Sequence, residues 1–96
     1  MEGMGSSFQG GLKAIAQTSR LKIIRLLVEY GELCVNDIMK RLNLSQVKVS
    51  QHLRVMKYQE LVTCRRNGHR QFYSINRERI DELIEVLRKL LVTSDQ

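Results

Sequence analysis

Two short runs rich in β-forming residues, Leu61–Arg66 and His69–Ile75, flank Asn67-Gly68. That dipeptide is the strongest short hairpin signal, because a type I′ turn needs positive φ at both of its central residues. A chain of 96 residues has room for one core. A lone hairpin is marginal in water, so it must lean on whatever else the chain forms. Everything else of length reads as helix. The expected class is therefore mostly α with a small β-hairpin.

The helices can be placed by their apolar spacing and end signals. Phe8, Leu12, Ile15 and Ala16 fit one helical face over Phe8–Gln17, although Gly10 and Gly11 weaken its first turn. Thr18 and Ser19 are suitable N-caps for a second helix reaching Tyr30, whose wide apolar surface predicts the centre of the core. Gly31 ends it. Glu32–Val35 reads as extended, then a brief helix runs from Asn36 to Leu42 with Asn43 as its left-handed stop. Ser45 caps a further helix to about Tyr58, giving helix, tight turn, helix. After the hairpin, Asn76 caps a long helix whose Ile80, Leu83, Ile84, Leu87, Leu90 and Leu91 trace a single stripe. Residues 1–11, with four glycines and two serines, are expected to be mobile, and residues 12–93 to form the domain.

Charge is concentrated. Residues 1–35 carry a net +1, residues 36–75 a net +6 and residues 76–96 a net −1. A middle segment of that sign suits a polyanion, of which nucleic acid is the commonest. The helix starting at Ser45 divides accordingly. Val49, Leu53 and Met56 fall at i, i+4 and i+7 and should face the core. Gln46, Val47, Ser50, Gln51 and Arg54 lie on the other side. Amides and hydroxyls suit base edges, Val47 suits a thymine methyl, and Lys48 and Arg54 suit phosphates. In the hairpin, a turn centred on Asn67-Gly68 pairs Arg66 with His69, Arg65 with Arg70, Cys64 with Gln71 and Val62 with Tyr73. Directly opposed arginines destabilise a ladder, and phosphates or a narrow minor groove would relieve them. The other face, with Val62, Cys64, Tyr73 and Ile75, should pack on the core.

Helix-turn-helix followed by hairpin is the order of a winged helix. From about Leu12 to Leu91 the chain resembles the ArsR/SmtB group of bacterial and archaeal transcriptional regulators. The resemblance rests on Ser19-Arg20-Leu21-Lys22-Ile23-Ile24, on Leu44-Ser45-Gln46 followed by Val49-Ser50-Gln51-His52-Leu53, and on Arg66-x-Gly68 followed by Tyr73-x-Ile75. It implies a winged helix-turn-helix dimerised through the first and last helices, with double-stranded DNA as partner. The apolar stripe agrees independently, since burying six such side chains yields on the order of 10 kcal/mol before entropy. A twofold pair covers them, with Leu12 and Ile15 of the first helix joining Ile80, Leu83, Ile84, Leu87, Leu90 and Leu91. The expected DNA-binding residues are Ser45, Gln46, Val47, Lys48, Ser50, Gln51, Arg54, Arg65, Arg66, His69 and Arg70. The expected function is a homodimeric repressor at a pseudo-palindromic operator. The alternatives are a thiol-responsive regulator using Cys34 and a dimeric interaction module that does not bind DNA.

Relatives that sense metals prompt a test of each ligand type. Cys34 matches the first cysteine of the family's Cys-x-Cys element, but Asn36 stands at the second, and an amide is a poor ligand for soft ions. The last helix has Asp81, Glu82 and Glu85 but no histidine, and His52 and His69 lie at no family metal position. No metal or other cofactor is expected, and any small-molecule effector is left open. Cys34 and Cys64 are the candidate redox pair, with packing as their simpler role. Glu60 departs from a position where relatives often carry glycine. No phosphate loop, nucleophile motif or acid–base cluster points to an enzyme, and Ser50 and His52, two apart on a helix, do not face each other. Two cysteines, the polar start and the absence of a membrane-length apolar run give a cytoplasmic expectation.

Overall fold

The computed structural model describes residues 8–93; of residues 1–11, expected to be mobile, residues 1–7 lie outside them and residues 8–11 are helical, with Gly11 buried. The order is α1 (Phe8–Ile15), α2 (Thr18–Tyr30), β1 (Leu33–Cys34), α3 (Val35–Leu42), α4 (Gln46–Tyr58), β2 (Val62–Asn67), β3 (Arg70–Ile75) and α5 (Arg77–Thr93). Ala14, Ile23, Leu27, Leu33, Ile38, Val49, Leu53, Met56, Leu61, Val62, Tyr73 and Leu83 form one buried cluster, drawing on all five helices and the sheet. Their shared burial holds the helix pair and hairpin at one angle. No helix among the described residues is long and apolar enough to cross a membrane.

Local chemistry explains most of the element ends. Ser45 Oγ accepts from the Lys48 amide at 3.2 Å, starting α4 as anticipated. Asn76 Oδ1 does the same for the Arg79 amide at 3.3 Å. Asn43 takes φ 55°, the left-handed stop that a short amide tolerates best after glycine. At α2 the N-cap is Gln17 rather than Thr18 or Ser19, its Oε1 accepting from the Arg20 amide at 3.0 Å. Gln reaches the same orphan N–H with a longer arm, so cap preference alone misplaces this start.

The sheet has one more strand and a different register than expected. β1 pairs antiparallel with β3, giving the order β1-β3-β2. In the hairpin Asn67 pairs with Arg70, Arg66 with Gln71, Arg65 with Phe72, Cys64 with Tyr73 and Val62 with Ile75. The two turn residues are thus Gly68 and His69, not Asn67 and Gly68. Only Gly68, at φ 68°, has positive φ here, which matches a type II′ turn with glycine first. The shift is two residues, so each side chain keeps its face: Val62 and Tyr73 are buried, and Cys64 and Ile75 are packed against the core.

α1 also departs from the sequence reading. Gly11 and Ala14 are its buried residues, whereas Ala16 lies beyond the helix and is exposed. The glycines serve close approach. A Cβ on Gly11 would lie 3.2 Å from Leu83 and Arg79 of α5, and one on Gly10 would lie 2.7 Å from the Gln59 side chain. Arg79, buried, donates from Nε to the Gln59 carbonyl at 3.1 Å and ties α5 to the end of α4.

Candidate nucleic-acid interface

α3 and α4 form the helix pair. α4 packs Val49, Leu53 and Met56 into the core and turns Gln46, Val47, Lys48, Gln51 and Arg54 outward, with Ser45 exposed at its cap and Ser50 half-buried. Val47 is 66% exposed. An apolar side chain held in water at the start of such a helix is unexplained by packing and suits contact with a base edge. At the hairpin tip Arg66, His69 and Arg70 are exposed.

Arg65 behaves differently from the expectation that set it against Arg70. Its Nε and Nη2 donate to the two carboxylate oxygens of Glu32 at 3.0 and 2.9 Å, and its guanidinium lies 5.1 Å from the centroid of Phe72, the residue opposite it. No arginine–arginine pair exists in this register, so the repulsion argument falls. The hydrogen bonds hold the Glu32 carboxyl below the usual carboxylate range and the Arg65 guanidinium further into its charged form. Both groups are open to solvent, so the pair's value is geometric: it braces the hairpin against the segment before β1.

Two adjoining cavities separate α4 from the hairpin. The outer, of about 270 Å³, is lined by Cys34, Asn36, Gln46, Arg66, His69 and Arg70, with Val35 and Gln71 shared by both. The inner, of about 340 Å³, adds Ser50, Leu53, Arg54, Lys57 and Tyr73. Neither is lined by an acidic residue. The sequence reading overlooked Lys57, although it lies three residues after Arg54 and seven after Ser50, on the same helical face.

His52 faces inward from α4. Its Nδ1 accepts from Arg20 Nε at 3.3 Å, and Arg20 Nη1 donates to the Ala14 carbonyl at 3.1 Å. One guanidinium thereby links α1, α2 and α4. Burial, then the charges of Arg20 and Lys48, hold the His52 pKa below its ordinary value. The neutral ring is the form that accepts this hydrogen bond.

Cys34 is buried and Cys64 half-buried, both as free thiols. Cys34 Sγ donates to Asp37 Oδ2 at 3.2 Å, which holds the Asp37 carboxyl below the usual range. The cysteines sit on the two outer strands with β3 between them. Two strand spacings are about 9.5 Å, beyond the roughly 7 Å Cα limit for a disulfide. Among the described residues no three of His, Cys, Asp and Glu gather as a metal site.

The expected dimer stripe splits in two. Leu83 is 1% exposed and belongs to the subunit's own core, and Leu12, Ile15 and Ile80 are partly buried against that core. Ile84, Leu87, Leu90 and Leu91 remain 50%, 45%, 59% and 70% exposed.

A helix-turn-helix with a polar outward helix and a basic hairpin beside it defines a winged-helix DNA-binding protein. Residues 18–63 match the profile described as bacterial regulatory protein, arsR family. The arsenical resistance operon repressor of Staphylococcus xylosus is 39% identical over 85 residues, 88% of this chain and 80% of that relative. The transcriptional activator HlyU of Vibrio cholerae is 35% identical, covering 88% of this chain and 78% of its own. A crystal structure of a possible transcriptional regulator for arsenical resistance superposes with a TM-score of 0.77 at 26% identity, over 91% of this chain and 96% of that one. The chain belongs to the ArsR family, and it is a DNA-binding transcriptional regulator.

Proposed function

We propose that the protein acts in the cytoplasm as a homodimeric repressor, seated on a pseudo-palindromic operator where it competes with polymerase. The carrying observation is the outward face of α4. Gln46, Val47 and Gln51 stand exposed while Val49, Leu53 and Met56 anchor the same helix in the core. Gln pairs with adenine at two atoms, Ser45 and Ser50 offer hydroxyls, and Lys48 and Arg54 reach the backbone. His69 and Arg70 at the hairpin tip extend the contact toward the minor groove. The four exposed aliphatics of α5 support a twofold seam with a second copy. That seam would set two α4 helices about 34–36 Å apart, one turn of duplex.

Selection of bound fragments from the host genome tests this. The expected product is an inverted repeat whose half-sites are centred about 10–10.5 base pairs apart, or a multiple of that. Gln51→Ala should cost about 1–3 kcal/mol of discrimination at one base pair per half-site while leaving random-sequence binding unchanged. Fragments with no shared inverted repeat, or a Gln51→Ala variant with unaltered preference, would overturn the reading.

A further inference from the structure

We infer that the cleft between α4 and the hairpin is a seat for the phosphates of one DNA strand, with Lys57 and Arg66 among its ligands and Arg65 excluded. The inference rests on the DNA-binding reading above and adds which cations carry the backbone contact.

Three observations lead to it. First, the two cavities share Val35 and Gln71 in their linings and together place Arg54 and Lys57 on the α4 side and Arg66 and Arg70, beside His69, on the hairpin side. Gathering that much positive charge with no acidic residue in the lining opposes folding, and an anion between the walls would relieve it. Second, these side chains are uncommitted. Among the described residues no side-chain hydrogen bond or ion pair engages Lys57, Arg66 or His69, and the Arg70 side chain feels only the nearby charge of Asp37. Third, the neighbouring arginine is committed. Arg65 gives its Nε and one Nη2 hydrogen to Glu32 and lays its guanidinium against Phe72. That bidentate pair and the ring hold its charge on the Glu32 side of the hairpin, whereas no carboxylate holds the Arg66 side chain.

Adjacent strand positions point to opposite faces, so Arg65 and Arg66 cannot both serve one anion track. Arg66 shares its face with Gln71, the residue opposite it, which also lines the cleft. Val35, Leu53 and the Tyr73 ring supply the apolar part of the lining. Such a trough suits a ribbon of charged phosphodiesters flanked by sugars.

The test uses the full chain and a random-sequence duplex of about three helical turns, because phosphate contacts are independent of sequence. Affinity is followed by fluorescence anisotropy across a salt series for the wild type and for Lys57→Gln, Arg66→Gln and Arg65→Gln, with thermal melts confirming that each folds. The log–log salt slope of the wild type should be steep. Lys57→Gln and Arg66→Gln should each flatten it by about 0.9 for every phosphate left unneutralised, or about 1.8 for a dimer, and Arg65→Gln should leave it unchanged. If the wild type binds steeply but the Lys57 and Arg66 variants keep its slope, the cleft assignment fails while the DNA-binding reading stands. If Arg65→Gln flattens the slope as much as Arg66→Gln, the assignment fails equally. A wild type that binds no duplex at any salt would remove both.

Discussion

Leu87 gives the sharpest test of the dimer. It is 45% exposed in the single subunit, while Leu83, one helical turn earlier on the same stripe, is 1% exposed. Fully burying a leucine is worth about 1.5–3 kcal/mol, so covering the exposed part of Leu87 adds about 0.7–1.4 kcal/mol per subunit. A twofold seam counts the residue twice, which makes Leu87→Ala cost about 1.5–3 kcal/mol of association, or roughly a 10- to 150-fold rise in the dimer dissociation constant. Alanine is the best helix former, so the subunit itself should be little affected. Leu83→Ala should behave oppositely, destabilising each subunit by about 2–5 kcal/mol through a core cavity. Sedimentation equilibrium over a concentration series, read beside thermal melts, separates the two effects. A Leu87→Ala chain with the wild-type association constant would refute the seam on α5, as would a wild type that stays monomeric at its highest soluble concentration.

Three further outcomes follow from the same structure. Glu60 is held at φ 63°, where a side chain costs about 1–2 kcal/mol, so Glu60→Gly should raise the melting temperature by several degrees; an unchanged or lower value would show that the strain is absorbed elsewhere. The folded His52 pKa lies below 6.5, so the unfolded chain takes this proton more readily. Its contribution to stability is therefore complete above about pH 6.5 and is lost as pH falls through that value toward the lowered folded pKa. Melting curves between about pH 7.5 and 5 should show this loss in the wild type and not in His52→Gln, and identical profiles would rule it out. Mild oxidation followed by non-reducing mass analysis should yield no intrachain Cys34–Cys64 bridge, since β3 holds those strands apart; finding one would mean that the sheet opens.

The hairpin shows where reading the residues stops. Asn67-Gly68 announced a turn, and alternation put Val62, Cys64, Tyr73 and Ile75 on the inner face, where they lie, although Asn67 itself belongs to the strand. The register came out two residues away, because a two-residue slip conserves faces and only the ladder decides which pairs meet. The repulsion invoked for Arg65 vanished with that shift. Its real partner, Glu32, lies 33 residues earlier, a distance no local pattern can bridge.

What the chain's order of residues settled by itself was local: helix stops at Asn43, a cap at Ser45, the buried side of α4 and therefore its outward Gln and Ser side chains. These depend on periodicity and on atoms a few residues apart, which any extended chain already displays. Tertiary packing decided the rest. It drew Leu33–Cys34 into a third strand, took Leu83 out of the stripe, used Gly10 and Gly11 for close approach and set the cationic walls facing each other across a cleft. The physical reason is that burial and charge assembly depend on which distant surfaces meet, and that information exists only once the core has closed.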